Sequence, residues 1–392
     1  MESLIAQFME RYLPRQDIIH RLPVSISIQQ FWPELEKERR KHSQELPLLA
    51  QDGKPFWFVL TSGIEKQCDA IAELARRDIA FTGPEFDALF QDAVVDEAVY
   101  SSVIEGAFTS REQAVDFIRQ NKQPRNKSEQ MVKNNYDALT YVLEHLEDEI
   151  SEATILQITQ IVTRSAAEVQ VTGYRDGAVY VTGREGVVYT PPQADAVPEM
   201  MRSLVAFIQK SELHPLLKAC IAHFYFVYIH PFGDGNGRTA RALSYMMLLQ
   251  SGYDFFRYFS ISGIVAEERG KYYRSMRNVE DSDGDMTYFI DVYSGMLART
   301  VEKMEHHLKY HVLASQKLKE LEQCGTLNER QLKGAKWLLE SGGSSVTVET
   351  WRKKYKVVTE TARRDLLALC DAGLLDRELD GRRAVFRILR EL

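Results

Sequence analysis

The sequence predicts a mainly α-helical protein with one small β-hairpin near its middle and a helix-turn-helix with a wing at its C-terminal end. Three observations predict it. The runs HPLLKACIAHFYFVYIH (214–230) and ARALSYMMLLQSG (240–252) are apolar almost all round, as buried helices are. Val- and Tyr-rich segments flank Gly-Arg-Glu-Gly in GAVYVTGREGVVYT (177–190), the one strong hairpin signature in the first 320 residues. From about residue 328, helical patterns give way to a strand, a glycine turn and a second strand.

Taken in order, residues 1–90 hold amphipathic stretches punctuated by LPRQD and TGPEF, with an extended apolar patch at PFWFVL (55–60). Residues 86–120 read as a helix, a break near Gly106 and a second helix, for which Thr109 or Ser110 is the N-cap. Residues 127–147 and 151–168 are amphipathic, with Leu139, Val142, Leu143 and Leu146 at helical spacing. The prolines of PPQADAVPEMMRSLVAFI end the hairpin and open a helix. Beyond 326, NERQLKGAKWLLES, TVETWRKKYKV and TETARRDLLALCDAGLL read as helices, and DRELDGRRAVFRI as the wing.

A length of 392 residues is too great for one ordinary core. The expected division is an N-terminal helical region (1–90), a central domain (91–310) opening with a helix at about 91–106, and a C-terminal unit (326–392). Net charge is −7, which argues against binding a polyanion by bulk charge. From Thr326 onward, 14 Lys and Arg face 10 Asp and Glu, a local +4, so the rest carries −11. Cys68, Cys220, Cys324 and Cys370 form no CxxC pair, which points away from zinc and disulfides and towards a reducing cytoplasm. The start MESLIAQFMERYLPRQ lacks the pattern of a signal peptide, and no run reaches the ~18 apolar residues of a membrane span.

HPFGDGNGRTAR (230–241) concentrates the chemistry. Gly235 and Gly237 flank Asn236 where a helix begins, so free backbone N–H groups and the positive end of the dipole make an anion hole. Arg238 and Arg241, three apart, share a face and suit a polyphosphate. A carboxylate at Asp234 would repel phosphate unless a divalent cation lies between, and Mg²⁺ uses one or two carboxylates plus phosphate oxygens. His230 is a candidate general base at physiological pH. Together these parts hold a nucleotide with its metal and deprotonate an attacking hydroxyl.

HPFGDGNGR matches the Fic family motif HPFx(D/E)GN(G/K)R at every specified position, and Arg241 completes its extended form. The chain resembles that family over about residues 90–300, including GKYYRSM downstream. The resemblance implies a helical fold that transfers AMP from ATP to a protein hydroxyl with Mg²⁺. It implies that His230 takes the proton of a target Ser, Thr or Tyr and that Asp234 binds Mg²⁺. By the same resemblance Gly235, Asn236 and Gly237 cradle the α- and β-phosphates, with Thr239 and Ala240 in the same ATP-binding turn. Arg238 would neutralise the leaving pyrophosphate, Arg241 hold the γ-phosphate, and Phe232 anchor the loop. The hairpin stands in the place of the family's flap, which pins a target segment by strand addition, here through Val179, Tyr180, Val181, Val187, Val188 and Tyr189. Tyr272 and Tyr273 stand where the family packs an aromatic near adenine, Tyr273 being the better positional match.

SSVIEG (101–106) fits (S/T)xxxE(G/N), the inhibitory motif of many Fic proteins, through Ser101, Glu105 and Gly106. Ser101 and Glu105 lie four apart on one helix face, and Glu105 falls in the last turn, where the dipole disfavours it unless a cation answers. The resemblance supplies Arg241 as that cation, which would remove the γ-phosphate's ligand.

The C-terminal segment resembles the winged-helix domains of bacterial regulators. Arg352, Lys353, Lys354, Arg363 and Arg364 on or near the recognition helix, and Arg382 and Arg383 on the wing, would meet DNA phosphates. The leading expectation is a self-inhibited protein adenylyltransferase. The alternatives are a DNA-binding regulator with a nucleotide-sensing Fic module, a de-AMPylase, or a transferase using another nucleotide donor. Expected partners are ATP, a hydroxyl-bearing target protein, a second copy of the chain and, through the C-terminal unit, DNA; no membrane partner is expected.

Overall fold

The computed structural model describes residues 1–77, 84–120, 122–168, 170–183, 186–340, 345–380 and 383–389. They divide into two compact units, Met1–Val301 and Glu302–Leu392. The N-terminal region expected to stand apart belongs to the first unit.

In that unit the helix Pro215–Ile229 is buried along almost its whole length, packs against Asn236–Gln250 and against Val197–Lys210, and forms the centre. The second helix of this pair starts at Asn236, so Gly237 lies inside its first turn. Around them stand Pro84–Ile104, Lys127–Glu144 and Glu152–Thr163. Local chemistry sets their starts. Ser110 and Gln113 form a capping box on Arg111–Arg119, Asn126 caps Lys127–Glu144, and Ser151 caps Glu152–Thr163. Ser110, not Thr109, is therefore the cap.

The patch at 55–60 is strand β2 (Pro55–Val59), paired antiparallel with β1 (Ser43–Leu49). Sequence reading did not anticipate β1, in which the register break between Glu45 and Leu49 accommodates Pro47. Buried Arg39 fastens the N-terminal helices to this unit, donating to the Tyr288 hydroxyl (2.6 Å) and to the carbonyls of Phe8 (3.2 Å) and Leu13 (3.1 Å).

The central hairpin is shorter than 177–190: β3 covers Val181–Gly183 and β4 covers Gly186–Tyr189. Val179 and Tyr180 precede it, and Arg184 and Glu185 lie outside the described residues.

In the second unit, Glu329–Glu340 and Val348–Tyr355 pack against Thr359–Asp371, beside a three-stranded antiparallel sheet in the order β5 (Ser345–Thr347), β7 (Arg383–Ile388), β6 (Leu375–Asp380). The three helices and the strands β6 and β7 come in the order read from the sequence; β5, only three residues long, was not anticipated. Trp351 fills the centre, and a β-carbon at Gly334 would collide with its ring. Buried Asp365 accepts from Trp351 Nε1 (3.1 Å) and Arg330 Nε (2.7 Å), satisfying a charge that burial would otherwise penalise. Arg382 lies outside the described residues. No helix among the described residues is long and apolar enough to cross a membrane.

Candidate active site

The turn between the two central helices is built by its own side chains. His230 caps the first helix in the left-handed region, at φ 51°. Gly235 caps the second at φ 82°, where a β-carbon would also come within 2.6 Å of Thr163 Cγ2, so only glycine fits. Asn236 closes the loop on itself: Oδ1 accepts from the Phe232 N–H (3.0 Å) and Nδ2 donates to the Phe232 carbonyl (2.8 Å). Phe232 is fully buried, as an anchor must be.

A cavity of about 490 Å³ opens beside this turn. His230, Gly237, Arg241 and Tyr273 line it, as do Glu105, Gly106 and the hairpin residues Val181, Val188 and Tyr189. The structure thus gathers these residues, drawn from four separate stretches of the chain, around one space.

His230 Nδ1 lies 3.3 Å from the Val227 carbonyl. A carbonyl only accepts, so this contact puts a proton on Nδ1 and leaves the Nε2 lone pair free. Burial pushes the imidazole's pKa below its ordinary 6.5. The ring is therefore neutral at pH 7, the state a general base requires.

Arg241 is nearly inaccessible, with 2% of its side chain exposed. It donates to Ser101 Oγ, the Ser101 carbonyl and Glu105 Oε1, each at 2.9 Å. Glu105 stands in the turn just past the helix end at Ile104, not in the last helical turn, and Gly106 follows at φ 90°. Its carboxylate is seated over Gly237, where any β-carbon would strike Oε1.

Other expectations are corrected. Arg238 and Arg241 do not converge. Arg238 turns to the Val162 carbonyl (2.7 Å) and to Asp234 Oδ1 (2.9 Å), because the C-terminal end of Glu152–Thr163 offers it an acceptor. Thr239 and Ala240 are packed into the core, Thr239 bonding Thr159 Oγ1 at 3.1 Å, so their side chains do not face the cavity. Val179 and Tyr180 lie outside the hairpin ladder, and Val187 faces a second cavity, of about 460 Å³. Tyr189 is anchored inward through its hydroxyl to the Tyr228 carbonyl (2.7 Å). Tyr272 is buried against His223 Nε2 (2.6 Å), leaving Tyr273 the more exposed ring at the cavity wall.

Among the described residues no cluster of three or more His, Cys, Asp or Glu could hold a metal by itself. Asp234 nevertheless suits Mg²⁺. Its contacts with Arg238 and the Gly235 N–H both fall on Oδ1, leaving Oδ2 as a hard oxygen that a cation could take.

Two residues escaped sequence reading. Buried Arg175 donates to the carbonyls of His230 (2.8 Å), Gly177 (3.0 Å), Pro192 (2.5 Å) and Ile229 (3.3 Å), holding the strained cap that aims the imidazole. No local pattern marks it. Glu280 lines both cavities; its spacing of seven from Tyr273 along Arg269–Glu280 was the available signal.

In the C-terminal unit, Arg352 pairs with Glu349 (2.8 Å), Lys353 with the same carboxylate (3.4 Å), and Lys354 sits 4.2 Å from the Trp337 ring centre. These three lie on Val348–Tyr355, one helix before Thr359–Asp371, on which Arg363 and Arg364 are exposed.

Residues 149–248 match the Fic/DOC family. The protein adenylyltransferase fic-1 of Caenorhabditis elegans is 35% identical over 132 residues, 33% of this chain and 24% of that protein. The protein adenylyltransferase Fic of Nematostella vectensis is 28% identical over 191 residues, 47% of this chain and 42% of that protein. The chain thus spans less than half the length of these curated relatives. A Fic family protein from Desulfovibrio desulfuricans shares the fold, with TM-score 0.56 at 21% identity, over 86% of this chain and 98% of that one. A C. elegans Fic-1 fragment superposes with TM-score 0.51 at 22% identity, covering 63% and 72%.

Proposed function

We propose that this chain, whose residues 149–248 form a Fic domain, is a self-inhibited protein adenylyltransferase. It moves AMP from ATP to a Ser, Thr or Tyr hydroxyl of a target protein or of itself. The observation that carries the reading is Arg241, buried and held by Glu105 in the same cavity that His230 lines.

The target hydroxyl meets His230 Nε2, which takes its proton as the oxygen bonds to the α-phosphorus. The bond from that phosphorus to the bridging oxygen breaks, and pyrophosphate leaves. The N–H groups at the start of Asn236–Gln250 take the phosphate charge, Arg238 holds the Asp234 carboxylate in place and Arg241 stands against the γ-phosphate. Mg²⁺ bound through Asp234 would neutralise charge on the phosphates. The edge of β3 and β4 receives the target backbone by strand addition. Glu105 occupies the place of the γ-phosphate, so release of its pairing with Arg241 switches the enzyme on.

The test is incubation of the full chain with ATP and Mg²⁺, read by intact mass. Glu105→Gly raises self-modification by about tenfold or more, the scale expected when a competing closed state is removed. Adding His230→Ala to that variant abolishes it. If Glu105→Gly gains no AMP, the inhibitory reading fails.

Arg363 and Arg364, exposed on Thr359–Asp371, favour a second role in contacting DNA. A salt-dependent gel shift by the full chain, lost on charge reversal of both, tests it.

A further inference from the structure

We infer that the exposed arginine stripe on helix Arg269–Glu280, formed by Arg274 and Arg277, docks an acidic segment of the target protein beside the hydroxyl that receives AMP. The inference rests on the adenylyl-transfer reading and names the chemistry of its target.

Helix Arg269–Glu280 presents two adjoining stripes. Arg269, Tyr273, Met276, Arg277 and Glu280 line the first cavity. Gly270, Arg274 and Arg277 stand at i, i+4 and i+7, a second stripe along its outer side. Arg277 belongs to both, so the outer stripe starts at the cavity's mouth. All three of its residues are exposed. A β-carbon at Gly270 would meet nothing within 4 Å, which leaves that end open to a chain laid along it. From Gly270 to Arg277 the stripe runs about 10 Å at ~1.5 Å per residue, the span of about three residues of extended chain.

These two charges do no work for the fold. Among the described residues, neither the Arg274 nor the Arg277 guanidinium has a hydrogen bond or an ion pair. Other arginines of the same unit are answered: Arg111 by Asp96, Arg119 by Asp92, Arg257 by Asp254. On the same helix Lys271 leans on Glu268 (3.7 Å), and Arg269 lies over the Tyr273 ring, 5.5 Å from its centre. Arg274 and Arg277 are thus open cations on a chain of net charge −7. Like charges three apart on a helix repel each other, so an anion brought between them is stabilising. A carboxylate suits best, because a guanidinium takes it through two parallel N–H donors.

The place of the stripe says which carboxylates. Val181 and Val188 of the hairpin line the same cavity as Arg277 and His230. A target segment laid on the hairpin edge, with its hydroxyl at His230, leaves the cavity past the arginines. Acidic residues within a few positions of that hydroxyl therefore meet them.

The test is a competition within one reaction. Three synthetic peptides of equal length carry one tyrosine in a valine-rich centre, flanked on both sides by Glu, Gln or Lys. They are mixed in equal amounts with Mg²⁺-ATP and the full chain carrying Glu105→Gly, and AMP on each is read by mass. The Glu peptide gains AMP about tenfold faster than the Lys peptide, the worth of two exposed ion pairs. The preference shrinks as salt rises, since the contacts are exposed. Glu105→Gly/Arg274→Glu/Arg277→Glu reverses the order and takes the Lys peptide first. The ratio between peptides is independent of how tightly ATP binds, and a merely structural role for the arginines would not reverse it. Equal use of all three peptides by both proteins overturns this inference alone, as does self-modification with no AMP on any peptide. An oligonucleotide of equal charge that competes more strongly than a non-acceptor Glu peptide makes the stripe a nucleic-acid site and overturns it too. Absence of AMP from peptides and chain alike overturns the adenylyl-transfer reading and this inference with it.

Discussion

In the proposed function Arg241 serves two states. A guanidinium with 2% exposure needs an anion, and Glu105 supplies it at 2.9 Å when nothing else does. Glu105→Gly therefore carries a cost that the wild type avoids. We expect it to lower stability by about 1–3 kcal/mol, since the Glu105 end of the pair is partly solvated. ATP should restore the loss, because the γ-phosphate answers the same charge. Thermal melts with and without Mg²⁺-ATP check this; a variant as stable as wild type without ATP contradicts it. His230 gives a second expectation. Its pKa lies below 6.5, and the base works unprotonated, so transfer by the released enzyme stays flat above pH 6.5 and falls only below it. A rate–pH profile that still rises above pH 7 would contradict the neutral imidazole.

At the scale of elements, the proposed reaction depends on how one helix stops and the next begins. The left-handed cap at His230 is a conformation that a side chain rarely adopts, and Arg175 braces it by donating to the His230 and Ile229 carbonyls while tied to those of Gly177 and Pro192. Arg175→Ala should lower kcat by about tenfold to a hundredfold, the penalty of misaiming a reacting group, with KM for ATP little changed. Arg175→Lys should not rescue it, because an ammonium cannot fork to several carbonyls. Steady-state kinetics in the Glu105→Gly background provide the measurement. In the C-terminal unit, Gly334→Ala drives a β-carbon into the Trp351 ring and should cost about 1–3 kcal/mol by overpacking, read by denaturant unfolding.

Across the whole molecule, burial of polar groups makes stability depend on pH. His223 lies in the core beneath Tyr272, and burial pushes its pKa down to about 3. The unfolded chain binds that proton near pH 6.5 and the folded chain resists it. Its contribution is therefore present above pH 6.5 and is lost progressively as pH falls towards 3. Urea midpoints should decline over that window, and His223→Gln should flatten the decline. An equal acid loss in both proteins would remove His223 from the account.

Much of this was legible in the sequence because it is local. The cap at Thr109 or Ser110, the apolar runs of the two central helices, the glycine-flanked turn and the Ser101–Glu105 spacing all follow from neighbours within a few residues. Local pattern could not foresee β1, because its pairing with β2 overrides the proline within it. Nor could it foresee that Arg238 and Arg241 part company, each drawn to an acceptor on a different helix, or that Arg175 would brace a cap 55 residues away. The chain alone determined which groups are available for chemistry and roughly where its two central helices lie. Only the packing of distant helices decided which groups face one cavity and which cation each anion meets, because those contacts are made between segments that sequence spacing does not relate.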